Sequence, residues 1–150
     1  MCRLRNVLQA GRELRVLVVN TYTGDAETPE QRAAFVEQIR AISDEAEEAG
    51  IRLCLETDSN MLPTAAIGAK VLDEIGHPWL QMNYDPGNVV YFASERPEED
   101  VRHALGRLGH VHLKDKRGGK GVLTSRRSAR ASSTSRRSSG TSRSPASPAR

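Results

Sequence analysis

Residues 50–56 read GIRLCLE, and their alternation decides the fold. Ile51, Leu53 and Leu55 fall on one face of an extended strand, and Arg52, Cys54 and Glu56 on the other. Gly50 is the glycine expected just past a helix end. Upstream of it, Ala33, Phe35, Val36, Ile39, Ile42, Ala46 and Ala49 recur at helical spacing, with Glu45, Glu47 and Glu48 on the far side. Thr28 followed by Pro29 supplies the N-cap and the proline of the first helical position. Before that helix, RVLVVN at 15–20 is a β-branched run closed by the turn-rich TYTGD.

The same alternation continues downstream. A second helix is predicted from near Thr64 to Ile75, with Ile67, Val71, Leu72 and Ile75 as its apolar stripe and Gly76 at its end. WLQMNYD at 79–85 is the next strand, with Leu80, Met82 and Tyr84 opposed to Gln81, Asn83 and Asp85. A third helix is predicted over Pro97–Leu108, with Glu98, Glu99 and Asp100 in its first turn and Gly109 closing it. HVHLK at 110–114 is the last strand. The order is β-α-β-α-β-α-β with short connections, which argues for a parallel sheet covered by helices. Strands of a sheet covered on both faces are apolar on both faces. Here each strand has one polar face, which suits the interior of a (β/α) barrel near its catalytic end.

Composition sets the limits. The chain has 150 residues, of which 37% are hydrophobic and 4% aromatic, and a net charge of +3. That charge is unevenly placed. Residues 1–124 hold 15 Lys and Arg against 19 Asp and Glu, a net of −4; the other seven basic residues lie in the tail, with no acidic residue beside them. The body is therefore not a basic nucleic-acid-binding domain. Two cysteines, Cys2 and Cys54, exclude a disulfide scaffold or a cysteine-based zinc finger. No apolar run is long enough to span a membrane, and the leader at 1–13 lacks the apolar core of a secretory signal, so a cytoplasmic location is the default expectation.

Glu56, Asp85 and His112 stand at or near the C-terminal ends of successive strands, about one βα unit apart. In a parallel barrel those ends share one rim, so the three side chains can converge. Two carboxylates and an imidazole suit a hard or borderline divalent cation. Taken singly, a strand-end Asp or Glu is more often a helix cap or a loop hydrogen-bond partner; the repeat of three is what points to a ligand set. Cys54 shares the inward face but has no His/Asp partner set, so it reads as packing rather than as a nucleophile. His77 reads as a loop histidine and His103 as a solvated one.

LCLETDSN around Glu56, MNYDPGN around Asp85 and HVHLKDKRGGKG from His110 resemble the sugar phosphate isomerase/epimerase family, the xylose isomerase-like TIM barrel also called AP endonuclease family 2. The resemblance covers the body and implies an α/β fold: a partial (β/α)8 TIM barrel over 14–123, about four consecutive βα units equivalent to barrel strands 4–7. It implies a divalent metal (Mn, Mg, Co or Zn) held by Glu56, Asp85 and His112, with Glu56 also the catalytic acid/base. Asn88 stands where many relatives carry a histidine; it and Lys114 are candidate substrate-binding residues. Arg117, beside Gly118, Gly119 and Gly121, is a third, although a plain turn is the simpler reading of that loop. The implied reaction is proton transfer alpha to a carbonyl of a sugar or sugar phosphate, through an enediolate.

The alternative within the fold is metal-assisted hydrolysis of abasic DNA, which Asn88 and the acidic body disfavour. The other alternative is a non-catalytic remnant with a basic tail. The family's eighth-strand Glu has no counterpart after Val122, and its first three strands have none before RVLVVN. The expectation is a fragment, poorly active, that self-associates through exposed barrel edges and has no membrane partner. Residues 124–150 are low-complexity and rich in Ser and Arg; they cannot form a packed core. Their mix of Arg, Ser, Ala and Pro fits a reading-frame shift in GC-rich coding sequence better than an evolved binding segment. Limited trypsinolysis is expected to remove residues 125–150 and leave the circular dichroism of the body unchanged. Protection of Arg126, Arg136 or Arg143 would instead mark a binding segment.

Overall fold

Four strands pair in parallel in the order β1-β2-β3-β4, each beside its neighbour in sequence. The computed structural model describes residues 2–114, 116 and 118–122. The tail at 124–150 and Arg117 lie outside the described residues. Strands β1 (Val18–Thr21), β2 (Arg52–Glu56), β3 (Leu80–Tyr84) and β4 (Leu108–Val111) alternate with helices α1 (Cys2–Glu13), α2 (Pro29–Glu48), α3 (Ala65–Ile75), α4 (Pro86–Ala93) and α5 (Pro97–Asp100). A doubly wound sheet would reverse its strand order about a switch point. Sequential parallel order belongs instead to a barrel wall. The wall is curved, because Asn20 Nδ2 on β1 lies 3.2 Å from His110 Nδ1 on β4, across two intervening strands.

The alternation in β2 and β3 sorts side chains as the sequence predicts. Leu53, Leu55, Leu80 and Met82 are buried in one cluster with Ile39, Ile42 and Ala46 of α2 and Val71, Leu72 and Ile75 of α3. Burying a side chain of this size contributes roughly 1.5–3 kcal/mol, so this helix-covered face is the main source of stability. Thr28 caps α2 in a full capping box with Gln31. Thr64 caps α3 by accepting from Ile67 N, and Gly76 ends it with φ 68°. Within α3, Ile67 is exposed and Gly68 is buried instead. A Cβ on Gly68 would stand 2.9 Å from Met82 Cε, so the glycine lets the helix approach β3 without moving that side chain.

Several parts differ from the sequence reading, including the last strand, which spans Leu108–Val111 rather than 110–114. Residues read as a leader contain α1, whose Leu8 is buried in the core. The helix predicted over Pro97–Leu108 is a four-residue α5 followed by a 3-10 turn at Val101–Ala104. Asp100 explains the break: it is buried, and its carboxylate accepts from Ala65 N (2.8 Å) and Ala66 N (3.3 Å), closing the N-terminus of α3. Continuing the helix would compete with that placement. Gly109 does not close a helix; it lies within β4, at a register shift where Met82 pairs with Leu108 and Asn83 with His110. It is the extra residue of a β-bulge.

The bulge requires a glycine. A Cβ on Gly109 would stand 2.5 Å from Cys54 Sγ and 2.7 Å from Gln81 Oε1, on the inward face. Gly109→Ala is therefore expected to destabilise the chain by roughly 1–3 kcal/mol, as overpacking does. The midpoint of urea unfolding measures this, and adding Cys54→Ala should recover part of the loss. An unchanged midpoint would show that β4 does not pack at this register.

Candidate metal centre

The end of β2 is tied to the end of β3 by one threonine. Thr57 N donates to Asn83 O (2.9 Å), and Asp85 N donates to Thr57 Oγ1 (2.8 Å). The β3–β4 ladder likewise extends past the strand, His112 N donating to Tyr84 O (2.9 Å). These backbone bonds set Glu56, Asp85 and His112 on one rim. One ligand-type atom from each lies within 4.8 Å of the others. His112 Nδ1 is 3.1 Å from Glu56 Oε1 and 3.8 Å from Asp85 Oδ2. Glu56 and Asp85 are buried, whereas His112 is exposed.

Asp85 has two roles. Its Oδ1 accepts from Asn88 N (3.0 Å) and caps α4, a helix the sequence reading did not assign. Its Oδ2 is fully buried and has no aligned hydrogen bond among the described residues. Lys114 Nζ stands 2.7 Å from that oxygen as an ion-pair contact outside hydrogen-bond alignment. A buried carboxylate oxygen without a hydrogen bond, facing an imidazole and a second carboxylate, fits a divalent cation. Glu56 is perturbed as such a site requires. Burial pushes its carboxyl above the ordinary range, the contact with His112 partly opposes this, and the charge of Asp85 adds to it.

Two of the three predicted substrate-binding residues join the cluster. Asn88 Nδ2 donates to Glu56 Oε1 (3.1 Å), and Lys114 Nζ donates to Asn88 Oδ1 (2.7 Å). Arg117 lies outside the described residues; its neighbours fold back on α4, where Gly121 N donates to Tyr91 O (3.0 Å). Below the rim, His110 Nδ1 contacts Asn83 Oδ1 (3.0 Å) and Asn20 Nδ2 (3.2 Å), so it belongs to a polar layer under the ligands. Cys54 is buried and its thiol is pushed up to about 11 by desolvation, consistent with packing. His77 bridges to Asp44 (3.1 Å) away from the rim, and His103 is exposed.

The sequence reading missed the loops that brace the rim. Thr23 Oγ1 donates to Asp58 Oδ1 (2.7 Å), Asn60 N donates to Asp25 Oδ1 (2.9 Å), and Asn60 Oδ1 accepts from Ala26 N (3.0 Å). The TDSN run after Glu56 was the available signal, since Asp, Ser and Asn fasten loops by such bonds. A groove of about 580 Å³ between α1, β1 and α2 includes Tyr22, Phe35 and Ile39 in its lining and shares no residue with the cluster.

Comparison with known proteins bears on the fold. The family model described as xylose isomerase-like TIM barrel matches residues 3–137, running past the boundary at 123 read from the sequence. A xylose isomerase domain protein from Planctomyces limnophilus superposes with a TM-score of 0.67 at 17% identity, covering 76% of this chain and 41% of that one. A D-allulose 3-epimerase from Methylomonas sp., in complex with D-allulose, gives 0.67 at 24% identity, covering 75% and 42%. A xylose isomerase-like TIM barrel protein from Mycobacterium smegmatis, in complex with magnesium, gives 0.64 at 22%, covering 74% and 43%. At these identities the likeness is one of fold, and the chain spans about two-fifths of the length of these structures. No curated protein matches the sequence. No helix among the described residues is long and apolar enough to cross a membrane.

The two roles of Asp85 are separable by substitution. Asn caps helices as well as Asp, so Asp85→Asn is expected to change metal-free stability by no more than about 1 kcal/mol while losing the shift in Tm that Mn²⁺ produces. Asp85→Ala should lose both. Thermal melts with and without Mn²⁺ distinguish the cases; an Asn variant that keeps the full Mn²⁺ shift would remove Asp85 from the ligand set.

Proposed function

Since the chain belongs to the xylose isomerase-like TIM barrel family, we propose that it serves metal-dependent isomerase or epimerase chemistry on a small sugar or sugar phosphate, with Glu56, Asp85 and His112 as metal ligands. The observation that carries this reading is the convergence of those three groups on one rim of a parallel barrel wall. A divalent ion held there supplies Lewis acidity toward a carbonyl and its neighbouring hydroxyl.

The chain's own residues supply the rest. Both hydrogen-bond contacts of Glu56 fall on Oε1, from Asn88 Nδ2 and His112 Nδ1, which leaves Oε2 as the oxygen that exchanges a proton. Its burial raises its proton affinity, which suits a group that must take up and return a proton. Asn88 and Lys114 present an amide and an ammonium beside that oxygen, groups that bind sugar hydroxyls or a phosphate. Thr57 and the α4 cap hold the carboxylates rigid. The acidic balance of residues 1–124 disfavours a nucleic-acid substrate.

Proton exchange with solvent tests the reading at the step where Glu56 acts. In D₂O with Mn²⁺ and a panel of ketohexoses and ketose phosphates, NMR should show deuterium entering at the carbon alpha to the carbonyl. Glu56→Gln should slow this by roughly a hundredfold or more, the usual contribution of a general base. Slow exchange that Glu56→Gln abolishes supports the reading; exchange that ignores Glu56 would contradict it, and none across the panel at saturating metal would favour the non-catalytic alternative.

A further inference from the structure

Lys114 holds the site in a way that its role as a substrate group does not require. Its ammonium lies 2.7 Å from Asp85 Oδ2 and donates to Asn88 Oδ1 at 2.7 Å. The Asp85 oxygen it faces is the one left for a cation, because Oδ1 is committed to the Asn88 backbone at the start of α4. The path of the side chain is built into the fold. It crosses Gly87, where a Cβ would stand 2.8 Å from Lys114 Cε and 2.9 Å from Cγ. A Cβ there would force the lysine to shift from this path. The lysine side chain is 46% exposed while the Asp85 side chain is fully buried, so the ammonium can leave toward solvent and the carboxylate cannot follow.

We propose that Lys114 is a tethered counter-ion of the ligand carboxylates, competing with the divalent cation for Asp85 Oδ2 and swinging off that oxygen as the cation binds. The inference rests on the metal-ligand reading of Glu56, Asp85 and His112. Its physical ground is charge. Two carboxylates sit buried at the rim, and two like charges buried together need a compensating cation. The ammonium provides one without any ion. It also repels a second cation brought to the same oxygen, so it weakens metal binding while it stays. Asn88 Oδ1 also accepts from the ammonium, giving Lys114 a neutral acceptor that keeps it near the site after displacement.

The test is a Mn²⁺ titration of the metal-stripped chain, with free Mn²⁺ read by electron paramagnetic resonance and Tm recorded with and without the ion. Lys114→Met is expected to bind Mn²⁺ roughly tenfold more tightly or better, the lower end of what one charge does to a neighbouring ionic equilibrium. Its metal-free Tm should fall below that of the wild type, and its rise on adding Mn²⁺ should be larger. Lys114→Gln removes the charge, keeps a polar tip toward Asn88 and leaves Gly87 in place, and should tighten Mn²⁺ binding in the same direction, whereas Gly87→Ala would also crowd Asp85 Oδ1 (3.3 Å). This second variant decides the matter if Lys114→Met does not fold without metal. If the wild type binds Mn²⁺, Asp85→Asn does not, and both Lys114 variants match the wild type or bind more weakly, the metal reading stands and the counter-ion role is overturned. If neither the wild type nor any variant binds, both fall together. Binding by Lys114→Met alone would support the competition in its strongest form.

Discussion

The ladder between β2 and β3 does not stop where the strands stop. It continues through Thr57, whose backbone N–H reaches Asn83 O and whose hydroxyl receives Asp85 N–H. Because the strands are parallel and in register from Leu53↔Leu80 to Glu56↔Asn83, this extension carries the chain of β3 one residue further alongside β2. Glu56 and Asp85 then stand side by side. A third strand, extended in the same manner by His112 N to Tyr84 O, adds the imidazole. The site is thus placed by main-chain hydrogen bonds, on a wall that helices α2 and α3 hold from outside. Catalytic groups at the C-terminal ends of barrel strands gain their geometry from the most rigid part of the fold.

That placement has an electrostatic cost, which the neighbouring residues offset. Two carboxylates are taken out of water at the rim, and burial raises the proton affinity of Glu56 accordingly. Around them the chain sets an α4 N-terminus, an Asn amide and a Lys ammonium. The helix end and the ammonium favour negative charge, and the amide orients it. Deeper on the same face, Gln81 Oε1 and Asn83 Nδ2 join Asp85 Oδ2 as buried polar atoms without hydrogen-bond partners among the described residues. All three lie along the inward side of β3, so that face carries buried polar atoms beside Cys54. A surface of that kind is suited to a hydroxylated ligand rather than to an apolar one.

The chain's alternation made the wall legible, and its spacing made the Glu56, Asp85 and His112 cluster legible. Thr28-Pro29 announced α2, Gly76 closed α3, and the period of two in Ile51–Glu56 put Glu56 inward, because each of these rests on local backbone or side-chain physics. What escaped were residues with long-range partners. Asp100 looks like a first-turn acid, but its carboxylate serves α3, 35 residues earlier. Gly109 looks like a helix stop, but it is a bulge whose reason is Cys54 and Gln81 on other strands. Asp85 looks like a strand end only; it also caps α4, with Pro86 at N1 and Gly87 beside Lys114. Helix α1 was legible too: Leu4, Leu8 and Gly11 recur at helical spacing and turn toward the core, but the segment was read as a leader.

The most direct measurement of the central claim is anomalous diffraction at the manganese edge from crystals grown with Mn²⁺. The account predicts one strong peak at the rim, with the Glu56 carboxylate, Asp85 Oδ2 and a His112 ring nitrogen each within roughly 2.0–2.3 Å of it. A peak away from these residues, or none at saturating ion, would contradict the account.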